Sequence, residues 1–308
     1  MTSLPKQQGA AIIVALFVTA LVAAMAVAMM DRLRIDTRRT ELLLNADQAY
    51  FDSQGSIAWA QDQLNNDWKL QSKDKVIDKT PLTLKSKENN AVIVSTIEDA
   101  QGYFNVNNMS DTNYQPDFIR LIRTVAPKIS ANQAQQIVQA IVDWIKPGVK
   151  GSPFDKYYTD LKPSYKAPHR PMASVSELRL VKGISREIYA KLAPFIIALP
   201  DVTPININNA PAPVIMSLSK TMTLEAAKSL INYRLQTPFV TPQQFSSYEI
   251  VKNNPIPENK ITVTSQYFLV QSNVTMGQQQ TLIYTLVQRI AKDAQSNITI
   301  LWQTKGTL

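Results

Sequence analysis

The loop Asp143-Trp-Ile-Lys-Pro-Gly-Val-Lys-Gly-Ser-Pro-Phe-Asp155 is the one stretch whose carboxylates could gather around a cation, with Asp160 just beyond it. Calcium takes six to eight oxygen ligands, usually including several closely spaced carboxylates. Here Lys146 and Lys150 lie inside the loop, where two ammonium groups oppose a dication, so no metal site is expected. His169 is the single histidine, placed between Pro168 and Arg170, which rules out a His-x-x-x-His zinc site and a His-paired nucleophile. It reads as a satisfied or exposed loop histidine. Cysteine is absent, which removes disulfides, thiolate metal sites and thiol nucleophiles. The few glycines form neither a phosphate loop nor a dinucleotide fingerprint. No carboxylate pair is signalled for acid–base work. The chain is therefore expected not to be an enzyme and to use neither a cofactor nor a small-molecule substrate.

Glu177–Phe195 (ELRLVKGISREIYAKLAPF) has the helix, Lys-Gly turn, helix order of a DNA-binding helical hairpin. Its turn, Val181-Lys-Gly-Ile-Ser185, lacks the second glycine with which such hairpins bring backbone N–H groups onto a phosphate. The net charge of +8 is scattered, with no run of five basic residues, as on a solvated surface. A packing role is expected and nucleic acid is not. A membrane-tethered DNA-binding protein is the alternative that these hairpins leave open.

The elements that carry these residues begin in a membrane. Ala10–Met30 is an uncharged apolar run directly after the polar leader MTSLPKQQG. At 1.5 Å per residue it spans about 31 Å, against a hydrocarbon core of roughly 30 Å. A secretory signal has a shorter apolar stretch followed by its cleavage site. Here the candidate processing point, Gly9, precedes the run, so cutting there keeps the anchor. A plain uncleaved signal anchor is the other reading. The positive-inside rule weighs Lys6 against Arg32, Arg34, Arg38 and Arg39 and, counted literally, places the large domain in the cytoplasm.

From Asp31 to about Trp68 there is no proline and one glycine, Gly55, and a stripe of Ala46, Ala49, Tyr50, Ser53, Ile57, Ala60 and Leu64 recurs at helical spacing. This predicts one continuous amphipathic helix lying on a sheet. A polar linker follows over Lys69–Asn90, with a strand near Leu82–Leu84. Ala91–Glu98 reads as a strand and Asp99–Gly102 as a turn. Gln266–Val274 and Gln280–Ile290 read as a hairpin about Met276-Gly277-Gln278, and Asn297–Trp302 as a last strand.

Between these strands lie helices over Pro116–Val125, Ala131–Ile145, Ala212–Ser219 and Leu224–Leu235. Ser130 with Gln133, and Ser174 with Glu177, fit capping boxes. Ser185 can cap a helix running to Ala198, bent or shortened by Pro194. Phe104-Asn-Val-Asn-Asn108 and Ile205-Asn-Ile-Asn-Asn209 form a weak internal repeat, each followed by two helices. These Asn clusters are expected to satisfy local backbone groups as Asx turns.

Several stretches together resemble the general secretion pathway protein K family, the large minor pseudopilins of bacterial type II secretion systems. They are Gly9 before an apolar helix, Asp99-Ala-Gln-Gly-Tyr-Phe-Asn-Val-Asn107, Ile141-Val-Asp-Trp144, Arg170-Pro-Met-Ala-Ser-Val-Ser-Glu-Leu-Arg-Leu-Val-Lys-Gly183, Ile205-Asn-Ile-Asn-Asn-Ala-Pro211 and Gln266-Tyr-Phe-Leu269. The resemblance implies cleavage by prepilin peptidase between Gly9 and Ala10, N-methylation of Ala10, and a single-pass inner-membrane protein with its C-terminal domain in the periplasm. It implies an α+β fold, with a long N-terminal helix on a small antiparallel sheet and a large all-α domain inserted between strands. It also implies a place at the pseudopilus tip, with minor pseudopilins resembling proteins I and J as partners beside the major pseudopilin.

Pilins usually carry glutamate at the fifth mature position, here Val14, and its absence suits a subunit with none above it. Some members bind calcium after the Asp-Trp pair through further aspartates; Lys146 and Gly148 hold those places here. The expected segments are a leader over 1–9, a membrane helix over 10–30, a pseudopilin unit over 31–106 and 261–305, and an inserted helical domain over 107–260. Ala20, Ala23, Ala24 and Ala28 give the membrane helix a small-residue surface for partner helices. An assembly protein of a type IV pilus would share the leader, but would not be expected to carry the Ser-Val-Ser-Glu-Leu core.

Overall fold

The computed structural model describes residues 8–70, 81–86, 90–147, 152–292 and 295–306. Most of the leader, and the linker over 71–80 and 87–89, lie outside the described residues. One helix, α1 (Gln8–Leu70), runs unbroken because nothing along it interrupts the i→i−4 ladder. Residues 10–44 are exposed throughout. Burial begins where small side chains recur: Ala49, Ser53, Ser56, Ile57, Ala60 and Leu64 are buried against the sheet, while Tyr50 of the expected stripe stays exposed.

The sheet has five antiparallel strands: β1 (Leu82–Lys85), β2 (Val92–Asp99), β7 (Tyr267–Met276), β8 (Gln279–Lys292) and β9 (Gln295–Lys305), adjacent in that order. Its strands are rich in β-branched and aromatic residues, and alternation sends one set of side chains to each face. Ile97, Phe268, Val270 and Val287 meet Ala60 and Leu64 of α1, while Ile93 and Val274 meet Ala49. Between these two apolar patches, Ser95 Oγ lies 2.7 Å from Ser56 Oγ and 3.1 Å from Ser272 Oγ. The small residues on α1 let the helix sit close enough for these hydroxyls to satisfy one another. On the opposite face, Tyr267 and Leu286 pack with Ala100, Ile197 and Leu199 from the helical portion.

The helical portion lies between β2 and β7, which are themselves neighbours: Asp99 is the register partner of Phe268. It has two halves of similar plan. The first runs β3 (Phe104–Asn105), α2 (Gln115–Val125), α3 (Ala131–Ile145), α4 (Pro153–Thr159), α5 (Arg186–Leu192) and β4 (Ile196–Ile197). The second runs β5 (Ile205–Asn206), α6 (Ala212–Leu218), α7 (Leu224–Gln236), α8 (Pro242–Ser247), α9 (Glu249–Asn253) and β6 (Ile261–Thr262). In each half the short first and last strands pair in parallel. Two-residue ladders carry no periodicity, so this portion is not wholly helical as expected. One apolar core joins both halves, with Phe104, Phe118, Ile141, Trp144, Leu178, Val214, Leu230 and Phe245 among its members.

The Ser130–Gln133 capping box forms as expected. The Ser174–Glu177 box does not. Ser174 instead caps a 3-10 helix, Val175–Leu180, by accepting from Ser176 N, and Glu177 Oε1 accepts from Ala173 N at 2.7 Å. The tighter turn brings the carboxylate one residue further back, and its other oxygen receives Trp144 Nε1 at 3.3 Å. The helix after Ser185 stops at Leu192, since Pro194 cannot donate and Ala193–Phe195 tightens into a 3-10 turn.

Candidate functional site

Gly9 and Ala10 lie in the first turn and a half of α1. Ala20, Ala23, Ala24 and Ala28 are exposed and fall within a sector of about 140° at 3.6 residues per turn. Beyond Met30 the helix runs clear of the sheet until Leu42, whose carbonyl accepts from Gln279 Nε2 at 3.5 Å, and it bears Leu33, Ile35, Leu42, Leu43 and Leu44 exposed, with Phe51 further on. In Leu43 the exposure reaches 68%. Together these residues make an exposed, largely apolar helix surface that runs on for roughly 20 Å past Met30. Leu33, Leu44 and Phe51 lie on the side of the helix away from the stripe that faces the sheet, whereas Ile35 and Leu42 continue the line of that stripe beyond it. Among the described residues, α1 is the one helix long and apolar enough to cross a membrane.

The helical portion is fastened to the sheet at Asp99-Ala-Gln-Gly102, which the sequence marks only as a turn. Asp99 is buried. Its Oδ1 accepts from Gln101 N at 2.9 Å, and its Oδ2 from Asn206 Nδ2 at 2.7 Å, Asn209 Nδ2 at 2.6 Å and Ser265 Oγ at 2.8 Å. Burial pushes its carboxyl above the ordinary value, and these four bonds pull against that rise. Gln101 Oε1 accepts from Gln266 N at 2.5 Å, and its amide donates to Pro204 O at 3.2 Å. Gly102 is there because a Cβ would meet the Asn209 carbonyl at 3.0 Å. Arg289 completes the clasp, with Nη2 donating to Ser265 O at 2.9 Å and Nη1 to Leu64 O at 3.1 Å. One buried guanidinium thus joins α1 to the segment entering β7.

The Asn clusters do more than close local turns. Asn105 and Asn206 accept from the N–H two residues on, as expected. Asn108 also grips both main-chain groups of Thr203, at 2.8 and 2.9 Å. In the helical hairpin, Lys182 N donates to Tyr158 OH at 3.1 Å, and the Lys182 ammonium stands 4.7 Å from the Tyr157 ring centre. Gly183 adopts φ +87° with Ile137 packed against it. Lys182 and Gly183 are both exposed, so the turn lies at the surface with its backbone donor bonded to Tyr158.

The loop carboxylates and the histidine, read separately in the sequence, come together. The ligand atoms of Asp143, Asp155 and His169 all lie within 4.8 Å of one another. Lys146 is exposed, whereas Gly148 and Lys150 fall outside the described residues. Two carboxylates and an imidazole nitrogen do not fit calcium, which wants six or more oxygens.

Two models of one family, "Type II secretion system (T2SS), protein K", match residues 102–201 and 205–264, a pair of ranges that correspond to the two halves of the helical portion and cover just over half of the chain. "Type II secretion system protein K" of Pseudomonas aeruginosa is 25% identical over 95% of this chain and 91% of its own. The protein of the same name from Pectobacterium carotovorum subsp. carotovorum is 26% identical over 92% and 94%, and that from Aeromonas hydrophila 29% over 68% and 69%. The fold matches a solved chain from "The Crystal Structure of the GspK-GspI-GspJ complex from enterotoxigenic Escherichia coli Type 2 Secretion System" with a TM-score of 0.73, over 88% of this chain and 100% of that one, at 21% identity. The chain belongs to the type II secretion system protein K family, a structural pseudopilin family rather than one of enzymes.

Proposed function

We propose that this chain caps the tip of the pseudopilus and helps start its assembly, for export of folded proteins across the outer membrane. The observation that carries this is one unbroken helix, exposed and apolar over its first part, bearing a head whose helical bulk hangs from one sheet face. Such a helix can enter a bundle of partner helices, while the bulk fits only where no further subunit stacks. The partners are minor pseudopilins resembling proteins I and J, by analogy with the solved GspK-GspI-GspJ complex whose chain shares this fold, with the major pseudopilin below. Prepilin peptidase cuts between Gly9 and Ala10 and the Ala10 amine is methylated. The head lies in the periplasm, anchored in the inner membrane, and Ala20, Ala23, Ala24 and Ala28 lie against neighbouring helices.

Mass spectrometry of the chain from membranes containing prepilin peptidase should find an N-methylated Ala10 terminus, and tagged partner subunits should co-purify. Retention of Met1, or incorporation of the chain along the filament shaft, would overturn the proposal.

A further inference from the structure

Asp143 sits in the last turn of α3, Asp155 in the first turn of α4, and His169 in the loop that precedes Val175. His169 Nδ1 lies 3.0 Å from the Asp143 carbonyl oxygen, and Nε2 lies 2.9 Å from Asp155 Oδ1. A carbonyl can only accept, so Nδ1 carries a proton. In the neutral ring Nε2 then presents a lone pair to a carboxylate oxygen, a contact that needs a positive centre. A backbone carbonyl on the far ring nitrogen is the outer contact that orients a metal-ligating histidine and fixes its tautomer.

A proton on Nε2 would serve Asp155 but not Asp143, whose Oδ2 is buried and accepts no hydrogen bond. Among the described residues, neither carboxylate has a lysine or arginine partner. The ring is held at φ +48°, a left-handed conformation uncommon outside glycine, so the backbone aims it at this point. Two ligand atoms bound about 2.0–2.2 Å from one tetrahedral ion lie roughly 3.4 Å apart, so an ion between His169 Nε2 and Asp155 Oδ1 would widen their 2.9 Å spacing by about half an ångström.

We propose that Asp143, Asp155 and His169 form a three-donor site for a transition dication of zinc-like chemistry, and that this site does not take calcium. Imidazole with carboxylates suits zinc and its first-row neighbours. The ion would pin the end of α3, the start of α4 and the segment before Val175 to one point.

The test uses the full chain without a histidine tag, in detergent and stripped with a chelator. Isothermal titration with Zn2+ should saturate at one ion per chain and raise the melting temperature, and millimolar Ca2+ should do neither. H169Q and D155N should each weaken zinc binding by at least about tenfold, with the metal-free melting temperature of H169Q close to that of the unsubstituted chain. Should a variant fail to fold, Co2+ added to the unsubstituted chain should give d–d absorption bands that zinc abolishes. Zinc binding that does not saturate, binding unchanged by H169Q, cobalt that stays spectrally silent, or calcium that binds as well as zinc would each overturn the proposal.

Discussion

Asn107 and Asn208 hold equivalent positions in the two halves of the head. Asn107 Oδ1 accepts from Met172 N at 2.8 Å and its Nδ2 donates to Met172 O at 2.9 Å; Asn208 does the same to Phe239, at 3.0 and 2.8 Å. Each side-chain amide thus stands in for a strand edge and satisfies both main-chain groups of one buried residue. Leaving such groups unpaired costs about 1–3 kcal/mol apiece. N107A and N208A should therefore each destabilise the head by roughly 2–4 kcal/mol in denaturant unfolding followed by circular dichroism. A loss below about 0.5 kcal/mol, typical of surface changes, would show that the pairing is incidental.

Glycines 102 and 55 should respond oppositely to alanine. At Gly102 the added methyl meets the Asn209 backbone at 3.0 Å, whereas at Gly55, exposed within α1, nothing lies within 4 Å. G102A should cost about 1–3 kcal/mol, and G55A should add about 0.5–1 kcal/mol. Melting temperatures moving in the same direction would contradict this pair.

Asp99 makes a prediction about pH. Its folded carboxyl is raised above 3.8 by burial, so the folded chain holds this proton more tightly than the unfolded one. Its contribution to stability therefore falls as pH rises through the raised value, and levels off below 3.8. D99N abolishes that slope but turns an NH2 group toward three donors, costing roughly 1–3 kcal/mol. The melting temperature of the unsubstituted chain relative to D99N should climb as pH falls below neutral. A constant difference would refute the assignment.

Alkaline unfolding follows the same logic for tyrosines. Burial pushes Tyr114 and Tyr158 from 10.0 up to about 12. The unfolded chain loses these protons first, so the stability they contribute is intact below pH 10 and disappears as pH approaches 12. Tyrosinate absorbance and helix content should change together in that window. Ionisation of every tyrosine with helix content unchanged would count against it.

The exposed apolar face beyond the lipid offers a test that spares the head. Leu43 and Phe51 are exposed at 68% and 65% and touch none of the sheet's apolar clusters. L43S with F51S should leave the head's melting temperature within about 1 °C, because surface changes cost little, yet sharply reduce co-purification of partner pseudopilins. Undiminished capture would move the contact elsewhere.

Local signals made much of this fold legible. The unbroken α1, the β7–β8 hairpin and the Ser130–Gln133 box depend on neighbours within a few residues, and each is written in the spacing of side chains. What escaped depends on partners far apart in the chain. Nothing near Asp99 announces Asn206, Asn209 or Ser265, and nothing near His169 announces Asp143. The dipeptide strands and the 3-10 turn at Val175 are too short to show a period. Pro194 was visible as a breaker, but the pairing of Ile196–Ile197 with Phe104–Asn105 beyond it was not.

The departure and return of the helical portion at Asp99 and Ser265, bonded to each other at 2.8 Å, have a wider consequence. A short bend joining β2 directly to β7 would leave the five-stranded ladder and its helix complete, since those strands already pair along their length. The subunit's girth is thus an addition to a ladder whose strand pairing does not depend on it, although one face of the sheet is buried beneath it. That bulk could be enlarged or trimmed without redrawing the hydrogen bonds between β2 and β7.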